Sequence, residues 1–350
     1  MTIGESRILQ GPVGFRNSET LIEIRNMRKW FAVNTGFLSS MLYRQELFLK
    51  AVNGVTFDIK KGEVLVLAGE SGSGKTTTGR CILHLEIPTE GEVIYAGQNL
   101  ATLDRNEIKE LRKRMQITFQ DPYESLNPKQ SIFNIVQEPL MVHKIPLSPS
   151  QRRTRVLEAL ESVALTPASD FIDRYPHELS GGQRQRVSVA RALILHPEFM
   201  VADEPVSMLD VSIRAEILNL LLNLQEELGL TYLFITHDLA VATYIADRIA
   251  IMYLGKIFEI GPAHEVAFNS YHPYTQALIS AVPSGDPTVK RRIESLEGEP
   301  PSPINVPSGC AFHPRCSFAQ EICVRKIPED RDMGEGHFVA CHFAGELPEV

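Results

Sequence analysis

The chemistry in this chain begins at Gly69-Glu70-Ser71-Gly72-Ser73-Gly74-Lys75-Thr76, a full match to the spacing G-x-x-x-x-G-K-[ST]. It follows Val64-Leu65-Val66-Leu67-Ala68, a continuous apolar run that reads as a strand buried on both faces. Glycines let the backbone turn tightly, so that successive N–H groups converge on phosphate oxygens. A helix starting near Gly74 adds its positive end to the same point. Lys75 is expected on the β- and γ-phosphates of a nucleotide, and the hydroxyl of Thr76, followed by Thr77, on Mg²⁺.

A cradle of this kind needs a carboxylate near the cation and a group to orient water. Phe199-Met200-Val201-Ala202-Asp203-Glu204 is an apolar strand that ends in two acids. Asp203 fits the cation; Glu204, one residue further along an extended chain, points differently and is free to orient the attacking water. Leu179-Ser180-Gly181-Gly182-Gln183 offers a second anion site, with backbone amides and the Ser180 hydroxyl at a helix start. One nucleotide has no need of two cradles. The second is therefore expected to close on a nucleotide held by another subunit.

With these motifs the chain resembles the ATP-binding subunits of ABC transporters, over roughly residues 21–345. The resemblance implies an α/β P-loop NTPase fold, with a RecA-like core, an antiparallel β subdomain and a helical subdomain, that binds and hydrolyses ATP with Mg²⁺. It also implies that Gln120, opening Gln120-Asp121-Pro122, touches Mg²⁺ and the membrane subunits, and that His237 in Thr236-His237-Asp238 contacts the γ-phosphate. Asp210, closing Ser207-Met208-Leu209-Asp210, would cross a dimer interface, and Phe31, beside Trp30, would stack on adenine. Met208 stands where Ala is more usual, and Thr76-Thr77 where Ser-Thr is common; neither change removes a needed group.

The likeness narrows at the run Gln120 to Pro128, at Tyr175-Pro176-His177-Glu178-Leu179-Ser180, at His272-Pro273-Tyr274-Thr275 and at Gly298 to Pro303 leading to Gly309-Cys310. There it is similar to the dipeptide and oligopeptide importer ATPases. That implies a second ATPase subunit (a paralogue or another copy), two transmembrane permease subunits, an indirect link to a substrate-binding protein, and a place at the cytoplasmic face of the membrane. Importers of oligosaccharides, glutathione or nickel share these motifs, so the cargo stays open. A soluble ABC-type ATPase of DNA repair or translation usually carries a long coiled-coil insertion or two tandem cassettes, and neither is visible. A phosphate-loop kinase or GTPase would not need Leu179 to Gln183.

Four of the five cysteines cluster near the end as Cys310-x5-Cys316-x6-Cys323-x17-Cys341, while Cys81 stands alone in the helix after the phosphate loop. In a reducing compartment such a cluster suggests metal ligation before disulfides. The gaps exceed the two to four residues usual between paired zinc ligands, which suits a larger iron–sulfur cluster on four thiolates. The resemblance points to a 4Fe–4S cluster, since some peptide-importer ATPases carry one at similar cysteines. Zinc and no metal remain alternatives, and His313 and His342 flank the thiols, either able to replace one cysteine as ligand.

The 350 residues suit one large domain with an appendage, and an apolar fraction of 43% supports a real core. A net charge of −8 without a basic run argues against nucleic acid. No apolar run reaches transmembrane length, and the first residues lack the plan of a signal peptide. The expected divisions are a loose arm over 1–20, a nucleotide-binding domain over 21–282, a proline-rich linker over 283–309 and a cysteine-rich lobe over 310–350. Leu21 to Ile24 reads as an edge strand, Ala32 to Lys50 as an undecided insertion with Phe37, Leu38, Met41, Leu42 and Tyr43, and Asp121 to Asn134 as loop. Helices are expected over 149–163, over Ser180 to Leu195 and over Asp210 to Leu228, the last with Ile213, Ile217, Leu220, Leu221 and Leu224 on one face.

Overall fold

A computed structural model of the chain describes residues 19–33, 47–121, 125–282 and 298–347. Its first half comprises β1 (Thr20–Ala32), β2 (Phe48–Lys60), β3 (Val64–Ala68), α1 (Lys75–Ile82), β4 (Glu90–Tyr95), β5 (Gln98–Asn99), α2 (Arg105–Arg114), β6 (Met115–Thr118), α3 (Ile132–Val142) and α4 (Pro149–Ser162). There follow α5 (Gly181–Leu193), β7 (Phe199–Asp203), α6 (Val211–Leu228), β8 (Thr231–Thr236), α7 (Leu239–Ile245), β9 (Arg248–Tyr253), β10 (Lys256–Pro262), α8 (Ala263–Phe268), α9 (Pro273–Ser280), α10 (Glu321–Arg325), β11 (Arg331–Asp332) and β12 (Phe338–Val339).

The main sheet has the order β11-β12-β10-β9-β3-β8-β7-β6, and its centre, β9-β3-β8-β7-β6, is parallel. Its strands read as unbroken apolar runs because each feeds two cores at once. On β3, Val64, Val66 and Ala68 join a core with α3, α4 and α5, while Leu65 and Leu67 face the opposite way. On β7 the same alternation sends Met200 and Ala202 to the first core and Phe199 and Val201 to the second. The second core is roofed by the antiparallel sheet β2-β1-β4-β5, through Ile22, Ile24, Val52, Phe57 and Val93. This is the P-loop α/β architecture with an antiparallel and a helical subdomain.

Three local expectations change. Leu21 to Ile24 is not an edge: it starts a strand that runs to Ala32, with β2 on one side and β4 on the other. The sequence alternation there signals one buried face, not an open flank. The stretch expected as loop up to Asn134 gives way to helix at Ile132, where the Ser131 hydroxyl accepts from the Asn134 N–H at 3.5 Å. Pro139 inside α3 hides its helical character from propensity. In the expected insertion, strand reaches in from both ends, to Ala32 and from Phe48; Phe37, Leu38, Met41, Leu42 and Tyr43 lie outside the described residues.

The cysteine-rich tail is sewn into the main sheet. β12 pairs with β10 through Glu259↔Val339 and Ile260↔Phe338, and β11 pairs with β12. The buried Glu259 carboxylate accepts from the Tyr271 and His272 N–H groups at 2.8 and 3.1 Å and lies 2.8 Å from His337 Nε2. Among the described residues, no helix is long and apolar enough to cross a membrane.

Candidate active site

The parallel strands deliver the chemically active residues to one edge, their carboxyl ends, where open α/β sheets bind ligands. β3 leads into the phosphate loop, β7 ends at Asp203 beside Glu204, β8 ends before His237, and Gln120 follows β6. Two glycines make the loop possible. Gly69 has φ 144°, and a Cβ there would stand 2.1 Å from the Met252 carbonyl oxygen; Gly74 has φ 105°, and its Cβ would stand 2.1 Å from that of Ala51. The Lys75 ammonium is buried and donates to the carbonyl oxygens of Gly69 and Glu70 at 2.8 and 2.9 Å. Burial pulls its pKa down, and the nearby carboxylates of Glu204, Asp203 and Glu70 oppose that pull. Of the rest of the loop, Ser73 is buried while Ser71 and Gly72 are exposed.

The Thr76 hydroxyl donates to Asp203 Oδ1 at 3.0 Å, which brings together two of the three side chains expected on Mg²⁺, the third being Gln120. Burial raises the Asp203 pKa, only partly offset by that hydrogen bond. A buried carboxylate beside a hydroxyl suits a hard cation, and Mg²⁺ takes its other ligands from water and phosphate. Glu204 sits in the left-handed region at φ 46°, a conformation that a non-glycine residue holds only under surrounding constraint. Its N–H donates to the Ile235 carbonyl, tying the turn to β8. One carboxylate oxygen lies 3.0 Å from His237 Nδ1, and the other accepts from Gln120 Nε2 at 3.0 Å. The structure thus brings Glu204, His237 and Gln120 into one cluster. The cavity beside it is also lined by Ser207, Arg214, Thr236 and Asp238. Arg214 lies on a helix whose apolar face gives no sign of it.

Ser180 is exposed at the start of α5. Its hydroxyl accepts from the Gln183 N–H at 3.3 Å and the Gln183 carboxamide oxygen from the Ser180 N–H at 3.0 Å, a capping box. Gly182 packs against the start of α6, where a Cβ would come 2.7 Å from Ile213 Cγ2, and Gly181 lies against Leu209 just before that helix. Asp210 precedes α6 and is exposed, flanked by Met208 at 63% and Val211 at 80% exposure. Phe31 lies near the end of β1, 37% exposed, with the Lys29 ammonium 4.9 Å from its ring centre. Trp30 instead packs on Phe48, with ring centroids 6.4 Å apart.

Cys310, Cys316, Cys323 and Cys341 line one cavity, together with His272, His313, His342 and the rings of Phe312, Phe318 and Phe343. The four-thiolate ligand set is nevertheless not assembled. Among the described residues no three His, Cys, Asp or Glu side chains are grouped to hold a metal ion. Burial pushes the thiol of Cys310 up to about 11 and that of Cys316 to about 12, and raises that of Cys341. The donor chemistry suits a cluster; the arrangement of these side chains supplies no evidence for one.

The family profile described as "ABC transporter" matches residues 52–207, and "Oligopeptide/dipeptide transporter, C-terminal region" matches residues 258–323. The chain is 48% identical over 330 residues to the oligopeptide transport ATP-binding protein AppF of Bacillus subtilis, covering 93% of this chain and 98% of that protein. It is 46% identical to the dipeptide transport ATP-binding protein DppF of Haemophilus influenzae, over 93% and 97% of the two chains. A solved dimeric post-hydrolysis structure of the ATP-binding cassette MJ0796 with ADP and Pi superposes with a TM-score of 0.60 at 32% identity, over 69% of this chain and 99% of that one. The chain belongs to the ABC transporter family, as an ATP-hydrolysing, ATP-binding subunit.

Proposed function

We propose that this chain is one of two ATPase cassettes that power import of di- or oligopeptides through a pair of transmembrane subunits, from the cytoplasmic face of the membrane. The observation that carries the two-cassette reading is the exposure of Ser180, its hydroxyl held in its own capping box rather than in the cluster around Glu204, together with exposed Met208 and Val211 as apolar interface surface. In this reading Lys75 and the loop amides of residues 69–77 hold the phosphates, Thr76, Asp203 and Gln120 hold Mg²⁺, and Phe31 meets the adenine. Glu204 orients and deprotonates the attacking water, and His237 fixes Glu204 and meets the γ-phosphate. Ser180, Gly181, Gly182, Gln183 and Asp210 serve the ATP of the opposing cassette. Mg²⁺ supplies charge compensation on the phosphates when bound.

Peptide cargo is supported by relatives named as oligopeptide and dipeptide transport proteins and by the C-terminal match at 258–323. Reconstituted in vesicles with its permease and binding protein, the complex should take up labelled peptides and hydrolyse ATP faster when the binding protein carries peptide. Uptake of a sugar or nickel in place of peptides would overturn the cargo assignment and leave the ATPase reading intact.

We also propose that the four cysteines support a 4Fe–4S cluster with a structural role. The support is chemical: the four thiols line one cavity, and thiolates are the usual ligands of such a cluster in a reducing compartment. Protein purified without oxygen should be brown and carry about four irons per chain. Changing any one of Cys310, Cys316, Cys323 or Cys341 to Ser should expose the tail to protease. Colourless protein with one zinc would overturn the cluster, and a tail that stays folded without all four thiols would overturn the structural role too.

A further inference from the structure

The phosphate loop is gripped by a side chain of the cysteine-rich tail. Arg315 Nη1 donates to Glu70 Oε2 at 2.7 Å and Nη2 to Oε1 at 3.0 Å, a bidentate pair between the tail and the second residue of the loop. The Arg315 side chain is only 5% exposed and that of Glu70 24%, so solvent screens the pair weakly. The same guanidinium reaches the Tyr253 hydroxyl at 3.4 Å and lies 5.8 Å from the centre of its ring. On the backbone side, the Glu70 N–H donates to the Tyr274 hydroxyl at 3.0 Å. Tyr253, Tyr274 and Phe312 close the arrangement as a ring cluster, with centroids 4.8, 5.3 and 5.5 Å apart.

Glu70 is thus fixed at both its backbone and its side chain, while its carbonyl oxygen accepts from Lys75 Nζ. Its charge also acts on Lys75, the cation expected on the phosphates. A carboxylate in that position, left unpaired, would repel a polyanionic nucleotide and free the loop to change shape. We propose that Arg315 is a positioning residue for ATP: acting through Glu70, it holds the phosphate loop in shape and cancels the Glu70 charge, so that the tail sets the affinity of the nucleotide site. The inference goes beyond peptide import and requires only that the chain bind ATP.

The test is ATP affinity and the KM and kcat for ATP of the full chain carrying Arg315→Ala, Glu70→Gln or both, with protease resistance of the tail as a folding control. Arg315→Ala should weaken ATP binding roughly tenfold and raise KM with little change in kcat. Glu70→Gln should weaken it by less. The double variant should bind better than Arg315→Ala alone, because removing both partners leaves no unpaired buried charge. A merely structural staple would lower the melting temperature and leave KM unmoved. Wild-type ATP affinity in Arg315→Ala with a protected tail would overturn the proposal. So would a double variant whose loss equals the product of the two single losses. If the alanine variant's tail is cleaved, Arg315→Gln, which keeps a donor of similar length, is judged by the same two criteria.

Discussion

Replacing Glu204 with Gln should leave ATP binding intact and lower turnover by roughly two to four decades, the range of general-base catalysis. The carboxylate sits where the strained turn after β7 aims it, with His237 Nδ1 and Gln120 Nε2 each 3.0 Å from one of its oxygens. Glutamine keeps the size of the side chain and so preserves the turn at φ 46°, but it has no basic oxygen to take the proton from water. The substitution therefore separates catalysis from binding. ATP that binds and is not consumed should also hold two cassettes together, read as an ATP-dependent shift from monomer to dimer. Lys75→Ala should behave differently and weaken nucleotide binding itself, because it deletes a charge-assisted contact to phosphate. Phosphate release and bound nucleotide, measured on both variants, distinguish the two roles. Near-normal turnover of Glu204→Gln would remove Glu204 from the mechanism.

Much of this site is legible in the chain because its parts are contiguous and periodic. The run from Val64 to Thr76 carries strand, turn chemistry and helix start in one stretch, and Phe199 to Glu204 carries strand and acids in another. Buried parallel strands announce themselves as unbroken apolar runs, here because alternate residues fill the two cores. What escapes has no local signal. The turn that strains Glu204 is imposed by its bond to Ile235 on a neighbouring strand. The Arg315–Glu70 pair joins positions 245 residues apart, and no short motif marks it. Helix α9 is buried nearly all round, through Tyr274, Thr275, Gln276 and Ala277, so it shows no amphipathic stripe. Strands β11 and β12 have two residues each, too few for any alternation to be read. The four thiols show the opposite limit, where spacing suggests a ligand set and the side chains line one cavity without being grouped to hold a metal ion.

The division of labour between two chains has an equally large expected effect. Ser180 should serve the ATP held by the opposing cassette, whereas Lys75, Asp203, Glu204 and His237 serve this chain's own. In a two-fold dimer each ATP is then enclosed by the phosphate loop of one chain and the Ser180 cradle of the other. Ser180→Arg fills that cradle with a long cation, and Lys75→Ala empties the phosphate loop, so a homodimer of either variant has two damaged sites and should be nearly inactive. When the two variants are mixed, both lesions fall on one composite site of the mixed dimer and the other site is whole. The measurement is steady-state phosphate release from each variant alone and from the mixture, at protein concentrations where wild-type turnover shows that copies pair. Recovery in the mixture well above either variant alone is the predicted result. Hydrolysis in the mixture no higher than in the separate variants would contradict a site shared between two chains.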